Sequence, residues 1–233
     1  MIIHCIWEHN GDDSLLYAVE PIGAYARGEN LDTALKKMPG EVASYYKWRG
    51  QAVPGCLKIS VAGKKASTLT IRDADSDVLL PNETPPLAVE EYETLKALTL
   101  DSAKDFLALY ESIPDKDAAA APLRQTFYGP VPRTAREMYE HTKNVNTYYF
   151  GEIGVEADNN GSIYECRQHG FALLETSPDF LQNKLYHGSY NEDWTLRKVL
   201  RRFIWHDRIH AKAMYRMGIQ LFGAENIVNP FHF

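Results

Sequence analysis

The chain has 233 residues, 45% of them hydrophobic, a formal net charge of -6 and a pI near 5.8. That length allows one large or two small domains with real cores. The acidic balance leaves no broad positive field for nucleic acid or an anionic membrane, and no apolar run approaches the ~18 residues of a membrane span. Cys5, Cys56 and Cys166, odd in number and far apart, favour free thiols in a reducing compartment over a disulfide framework. The opening MIIHCIWEHNGDD lacks the basic start and cleavage site of a signal peptide. A cytoplasmic protein that meets neither nucleic acid nor membrane is the expectation.

Residues 1–8 are β-branched and aromatic, Asn10-Gly11 is a turn signal, and residues 14–19 are apolar again, so the start reads as a β-hairpin. Leu31, Ala34, Leu35, Met38 and Val42 keep a helical rhythm through Trp48, with a break or bend expected at Pro39-Gly40. Residues 57–61 and 67–71, joined across Gly63-Lys64-Lys65, read as two further strands. The opening is thus a small α+β unit with one sheet and one main helix. Asp73, Asp75 and Asp77 alternate in RDADSDVLL, but no glycine turn or distant glutamate follows in register for a calcium loop. The segment 81–86, with three prolines, marks the boundary, giving domains 1–80 and 87–233.

Beyond it the apolar period becomes helical. Residues 87–100 and 102–113 form one helix or two, and Pro114 ends them. Thr134 to Glu137 fits a capping box, in which the two side chains each satisfy a free backbone donor, and Met138, His141, Val145, Tyr148 and Glu152 then share one stripe. Ser162 to Glu165 is a second capping box, opening a helix to about residue 176. Ser177-Pro178 starts a short helical turn, His187 to Tyr190 is loop, and residues 194–217 form the longest helical pattern, capped by Asp193 or Thr195. Four helices with short or moderate connections argue for an up-down-up-down bundle, and the tail NPFHF for a segment packing back on it through Phe231 and Phe233.

On the last helix Val199, Phe203, His206, His210, Met214 and Met217 fall in one stripe, with Arg201, Arg208 and Lys212 opposite. The cluster Arg197, Lys198, Arg201 and Arg202 reads as a solvated face paired with nearby acids. Histidines at i and i+4 present two imidazoles to one side, the spacing a single divalent metal accepts. His141 on another helix supplies a third. The alternative for the pair on this helix is two core histidines bonded to carbonyls, to Asp207 or to tyrosine hydroxyls. Asp207 lies off the stripe, suited to bond a histidine N–H or an arginine rather than a metal. Cys166 and His169 are one turn apart, with Cys166 read as core. Glu152 is about 16 Å along the axis from His141, too far to share an ion. His4, His9, His187 and His232 lie near termini or turns, and no glycine-rich phosphate loop is present.

Two resemblances follow from these residues. GAYARGENLDTALKKMPGEVASYYKW, residues 23–48, resembles the small HicB-like domain of toxin–antitoxin partners, over about the first 80 residues. No helix-turn-helix or ribbon-helix-helix segment accompanies it, so an antitoxin role does not follow. EMYEHTKNVNTYY around His141, WTLRKVLRRFIWHDRIHAKAM around His206 and His210, and the closing NPF resemble the DinB-like superfamily of four-helix bundles, also called YfiT-like putative metalloenzymes. That resemblance implies one divalent ion, Zn, Ni, Fe or Mn, on His141, His206 and His210. It further implies thiol transferase or hydrolase chemistry on a small molecule, with a low-molecular-weight thiol as cosubstrate, and a homodimer. Many members carry His-Glu-x-x-His where this chain has His206-Asp207-Arg208-Ile209-His210, and a zincin protease is disfavoured by the same missing glutamate. The competing expectation is a non-catalytic, stress-associated binding protein whose HicB-like domain recruits a partner.

Overall fold

The computed structural model describes residues 1–73, 76–120, 122–126 and 129–233. They divide into two compact units: Met1–Glu83 with Phe231–Phe233, and Thr84–Pro230.

The first unit is a four-stranded sheet with one helix. β1 (Ile2–Asn10) turns through Gly11, at φ +58°, into β2 (Asp13–Ala18), and β3 (Tyr25–Gly28) continues the antiparallel meander. α1 (Leu31–Trp48) then crosses to β4 (Lys58–Ala66), which pairs parallel to β1, so the order is β3-β2-β1-β4. Asn30 caps α1 by accepting from the Thr33 N–H, and Ala34, Met38, Val42 and Tyr45 bury one face. The helix runs through Pro39 without the expected break.

The expected second hairpin does not form. Residues around Gly63-Lys64-Lys65 belong to one strand, because β1 offers them a parallel partner: the register skips Ala62 between the pairs Cys5–Val61 and Ile6–Gly63, a bulge in β4. The segment after β4 starts a short 3-10 turn at Ile71–Asp73 instead. Behind β1 and β2, Tyr17 donates to Ser76 and Ser76 to the fully buried Glu8, at 2.8 and 2.6 Å. Of the alternating aspartates, Asp77 pairs with Lys65, and Asp75 lies outside the described residues. The tail also departs from expectation. Phe231 packs on Trp48 of α1, with its carbonyl accepting from Ser44, and stacks on Phe233, so these aromatic residues complete the first unit's core.

The second unit is helical. α2 (Val89–Ser112) is one uninterrupted helix, and the short antiparallel pair β5 (Gln125–Thr126) and β6 (Gly129–Pro130) precedes α3 (Ala135–Gly151). α4 (Ile163–Leu174) follows, then a 3-10 turn at Phe180–Gln182. The stretch read as loop contains a hairpin of β7 (Tyr186–His187) and β8 (Asp193–Trp194), after which α5 (Leu196–Phe222) begins at its cap Thr195. α2 and α3 each lie against both α4 and α5. Phe106, Phe150, Phe171, Val199, Phe203 and Met214 are fully buried there. No described helix is long and apolar enough to cross a membrane.

The basic cluster of α5 is not a solvated face. Arg197, Lys198, Arg201 and Arg202 are all buried, as is Arg208. Arg197 reaches Glu91 at 2.7 Å and Lys198 reaches Glu192 at 2.9 Å. The Arg202 guanidinium lies over Tyr149, Trp194 and Trp205 at 4.8–5.4 Å. Periodicity sorted these residues by charge, whereas Glu91, Glu192 and the rings of Tyr149, Trp194 and Trp205 supply what makes their burial tolerable.

Candidate metal centre

Both helices that carry the three histidines begin at well-made caps. In α3, the Thr134 hydroxyl accepts from the Glu137 N–H at 3.1 Å and the Glu137 carboxylate accepts from the Thr134 N–H at 3.2 Å. His141 follows two turns later. In α5, Thr195 accepts from the Lys198 N–H, and the helix reaches His206 and His210 before ending at Gly223, at φ +85°. The inward face of α3 is centred on Tyr139, Thr142, Asn146 and Tyr149, one step round from the expected stripe, so His141 stands at its margin and is exposed.

The three imidazoles nonetheless converge. His141 and His206 bring their Nε2 atoms to 3.2 Å, and the ring centroids are 5.0 Å apart for that pair, 4.7 Å for His141 and His210, and 4.5 Å for His206 and His210. One nitrogen from each ring lies within 4.8 Å of the other two. Two ligands on a tetrahedral ion at ~2.05 Å stand about 3.3 Å apart, so the His141–His206 pair already has that spacing, and His210 has to draw in by at most about an ångström and a half.

His206 is 8% exposed and His210 half-buried, which leaves the cluster closed on the α5 side and open at His141. Withdrawal from water where the rings face one another lowers all three, His141 included although the residue as a whole is exposed. His206 is held well below its ordinary value, first by burial and then by the facing His210 and His141. His210 falls to about 3 by burial and then by His141, and His141 falls by burial. The rings are therefore neutral at pH 7, each with a lone pair to give. The Nδ1 of His206 is buried with no hydrogen-bond partner among the described residues, and its Nε2 shares a hydrogen bond with the His141 ring.

Asp207, the next residue, stays out of the cluster. Arg167 of α4 grips its carboxylate with two bonds of 2.6 Å, Ser102 of α2 donates at 2.8 Å, and the guanidinium stacks on Phe203 at 4.2 Å. Burial raises the Asp207 carboxyl, while Arg167 and Ser102 hold its charged form. Of its two expected partners it takes the arginine. Arg167 and Ser102 were invisible in sequence, since nothing local ties them to position 207.

The other candidates disperse. Cys166 is buried, its thiol pushed up by burial, and His169 turns to Asp158. His9 stacks on Trp7, and His187 bonds Asp193. Glu152 accepts from the Ser189 N–H, away from the three rings. An all-imidazole cluster open on one side is thus the site that fold and sequence jointly define. No protein family, curated protein or solved structure matches this chain significantly.

Proposed function

We propose that the chain is a metal-dependent enzyme of the DinB-like type, in which His141, His206 and His210 hold one divalent ion at an open position. In this reading residues 84–230 are a four-helix bundle, supported by the way α2 and α3 each rest on both α4 and α5. The observation that carries the proposal is the convergence of three neutral imidazoles within 4.8 Å, bonded to no carboxylate among the described residues and, for His206, to nothing but the His141 ring.

The donor set suits zinc, nickel or iron better than manganese, which favours carboxylate oxygens. Three neutral ligands leave at least one position for a reactant, the arrangement of catalytic rather than structural sites. An ion bound there supplies Lewis acidity, drawing the pKa of a water or thiol nucleophile toward neutrality. His206 and the rings of Tyr149 and Phe203 behind it keep water from the inner side. His141, at the margin, leaves the outer side for a small substrate and a low-molecular-weight thiol. Asp207 and Arg167 pin α5 to α4 at the level of His206, fixing the ring's height without touching it. The first unit is read as a HicB-like module that contributes a partner surface rather than catalytic groups.

Elemental analysis of the full chain after chelation and reloading, beside His206→Ala, tests the site. About one ion per chain, lost in the variant, is expected; no bound ion in the wild type would sink the proposal. A loaded protein then goes to a screen of thiol cosubstrates.

A further inference from the structure

A second site lies elsewhere on the helical unit. Along α3, at and beyond Tyr148, a cleft of about 590 Å³ opens between the end of the helix and the β7–β8 hairpin, bordered by Tyr148, Gly151, Glu152, Tyr186 and Gly188. Tyr148 is seven residues past His141, ~10 Å along the axis, and the cleft contains none of the three metal-site histidines.

Its chemistry centres on Glu152. The side chain is nine-tenths buried, its Oε2 accepts from the Ser189 N–H at 2.8 Å, and no described cationic side chain pairs with it. Other buried carboxylates of this unit do meet a cation: Glu192 meets Lys198 and Asp207 meets Arg167. A carboxylate removed from water and given one neutral bond is normally completed by a cation. Glu152 also caps the C-terminus of α3, where the helix dipole is itself negative, so the two potentials add. Gly188 shows how closely the hairpin is fitted over it, since a Cβ there would stand 1.8 Å from the Glu152 Oε2. Two tyrosine rings border the space, with negative faces that attract cations. Burial first, then the charges of Glu192 and Glu152, raises the Tyr148 hydroxyl, against the opposing charge of Arg202.

We infer that this cleft binds a small organic cation, a protonated alkylamine, whose N–H groups donate to the free Oε1 of Glu152 and whose carbons lie against Tyr148 and Tyr186. A neutral or anionic ligand would leave the carboxylate unmatched. The inference is independent of the metal: it uses different residues and the opposite electrostatics.

The test is titration of the full chain, in the presence of a chelator, with n-butylammonium chloride and with its uncharged counterpart n-butanol. Butylammonium is expected to bind at least about tenfold more tightly than butanol. Glu152→Gln keeps an oxygen for Ser189 and is expected to lose about tenfold or more in butylammonium affinity. Gly151→Trp is the second variant: Gly151 lines the cleft and no atom stands within 4 Å of a Cβ there, so an indole is accommodated at its border, and binding is expected to be lost while uptake of zinc is retained. Absence of butylammonium binding to the wild type at tens of millimolar, equal binding of butanol, or wild-type binding by Gly151→Trp would each overturn the inference. Should Glu152→Gln fail to fold, Gly151→Trp decides alone.

Discussion

Asp207 and His206 are neighbours on α5, both buried, and the fold treats them in opposite ways. Asp207 has both oxygens engaged by groups from two other helices. His206 has one nitrogen with no partner and another facing a second imidazole. Buried polar groups are rarely left unmatched, because each orphan costs its full desolvation. The fold completes Asp207 from its own residues and leaves one nitrogen of His206 without a partner. In the proposed reading the first residue serves assembly and the second holds the ion, and experiments can separate the two.

The largest effect is expected at Asp207. Asp207→Asn leaves Arg167 charged in a dry interior and should lower stability by about 3–5 kcal/mol, measured by urea denaturation, while Asp207→Leu combined with Arg167→Met should recover most of it. A loss below about 1 kcal/mol would mean that the pair is far better hydrated than its burial indicates.

His206→Ala should behave oppositely, with the metal-free stability near wild type and the loss visible only on loading. Zinc at a hundred times its dissociation constant stabilises the wild type by about 2.7 kcal/mol, a shift in Tm that the variant should lack. An equal shift in both proteins would place the ion elsewhere.

Acid sharpens the contrast further. Histidines in the unfolded chain take up protons below about 6.5, whereas His210 folded waits until about 3 and His206 is also held well below its ordinary value. The unfolded state thus binds more protons in that window, so stability present above pH 6.5 is lost as pH falls toward 3. Urea midpoints of the metal-free protein at falling pH should show this slope, and His206→Ala with His210→Ala should flatten it. An unchanged slope would show that the rings are protonated in the fold.

The smallest effect is at the start of α3. Thr134→Ala removes one half of the capping box and should cost about 1 kcal/mol without altering the ratio of bound metal to protein, because His141 sits two turns inside the helix. Loss of metal in this variant would mean that the helix frays as far as the site.

Legibility in the sequence followed the range of the interaction. Capping boxes at Thr134 and Ser162, and the four-residue step from His206 to His210, are local and were read correctly from spacing. The orientation of His141 was read one step out, because two adjacent stripes on α3 are almost equally apolar and only the packing of Tyr139, Thr142 and Tyr149 chooses between them. The basic cluster of α5 was misread as a solvated face, since no pattern within the helix announces Tyr149 or Glu91 as its neighbours. An arginine partner for Asp207 was expected, but which one was not legible, because Arg167 lies 40 residues away. Gly63-Lys64-Lys65 looked like a turn, for the partner that keeps it extended is β1, more than fifty residues earlier.

That parallel pairing has a consequence for how the chain reaches its fold. β1, β2 and β3 can zip together as soon as residues 1–28 exist, yet the other side of β1 stays open until α1 has crossed and β4 has been made. During synthesis the strand Ile2–Asn10 therefore presents a row of unsatisfied amides and carbonyls, with Ile2, Ile3, Ile6 and Trp7 among its side chains, to whatever nascent chain is nearest. The order of synthesis makes that edge the place where two copies would most readily stick, and the speed of the crossover sets how long the hazard lasts.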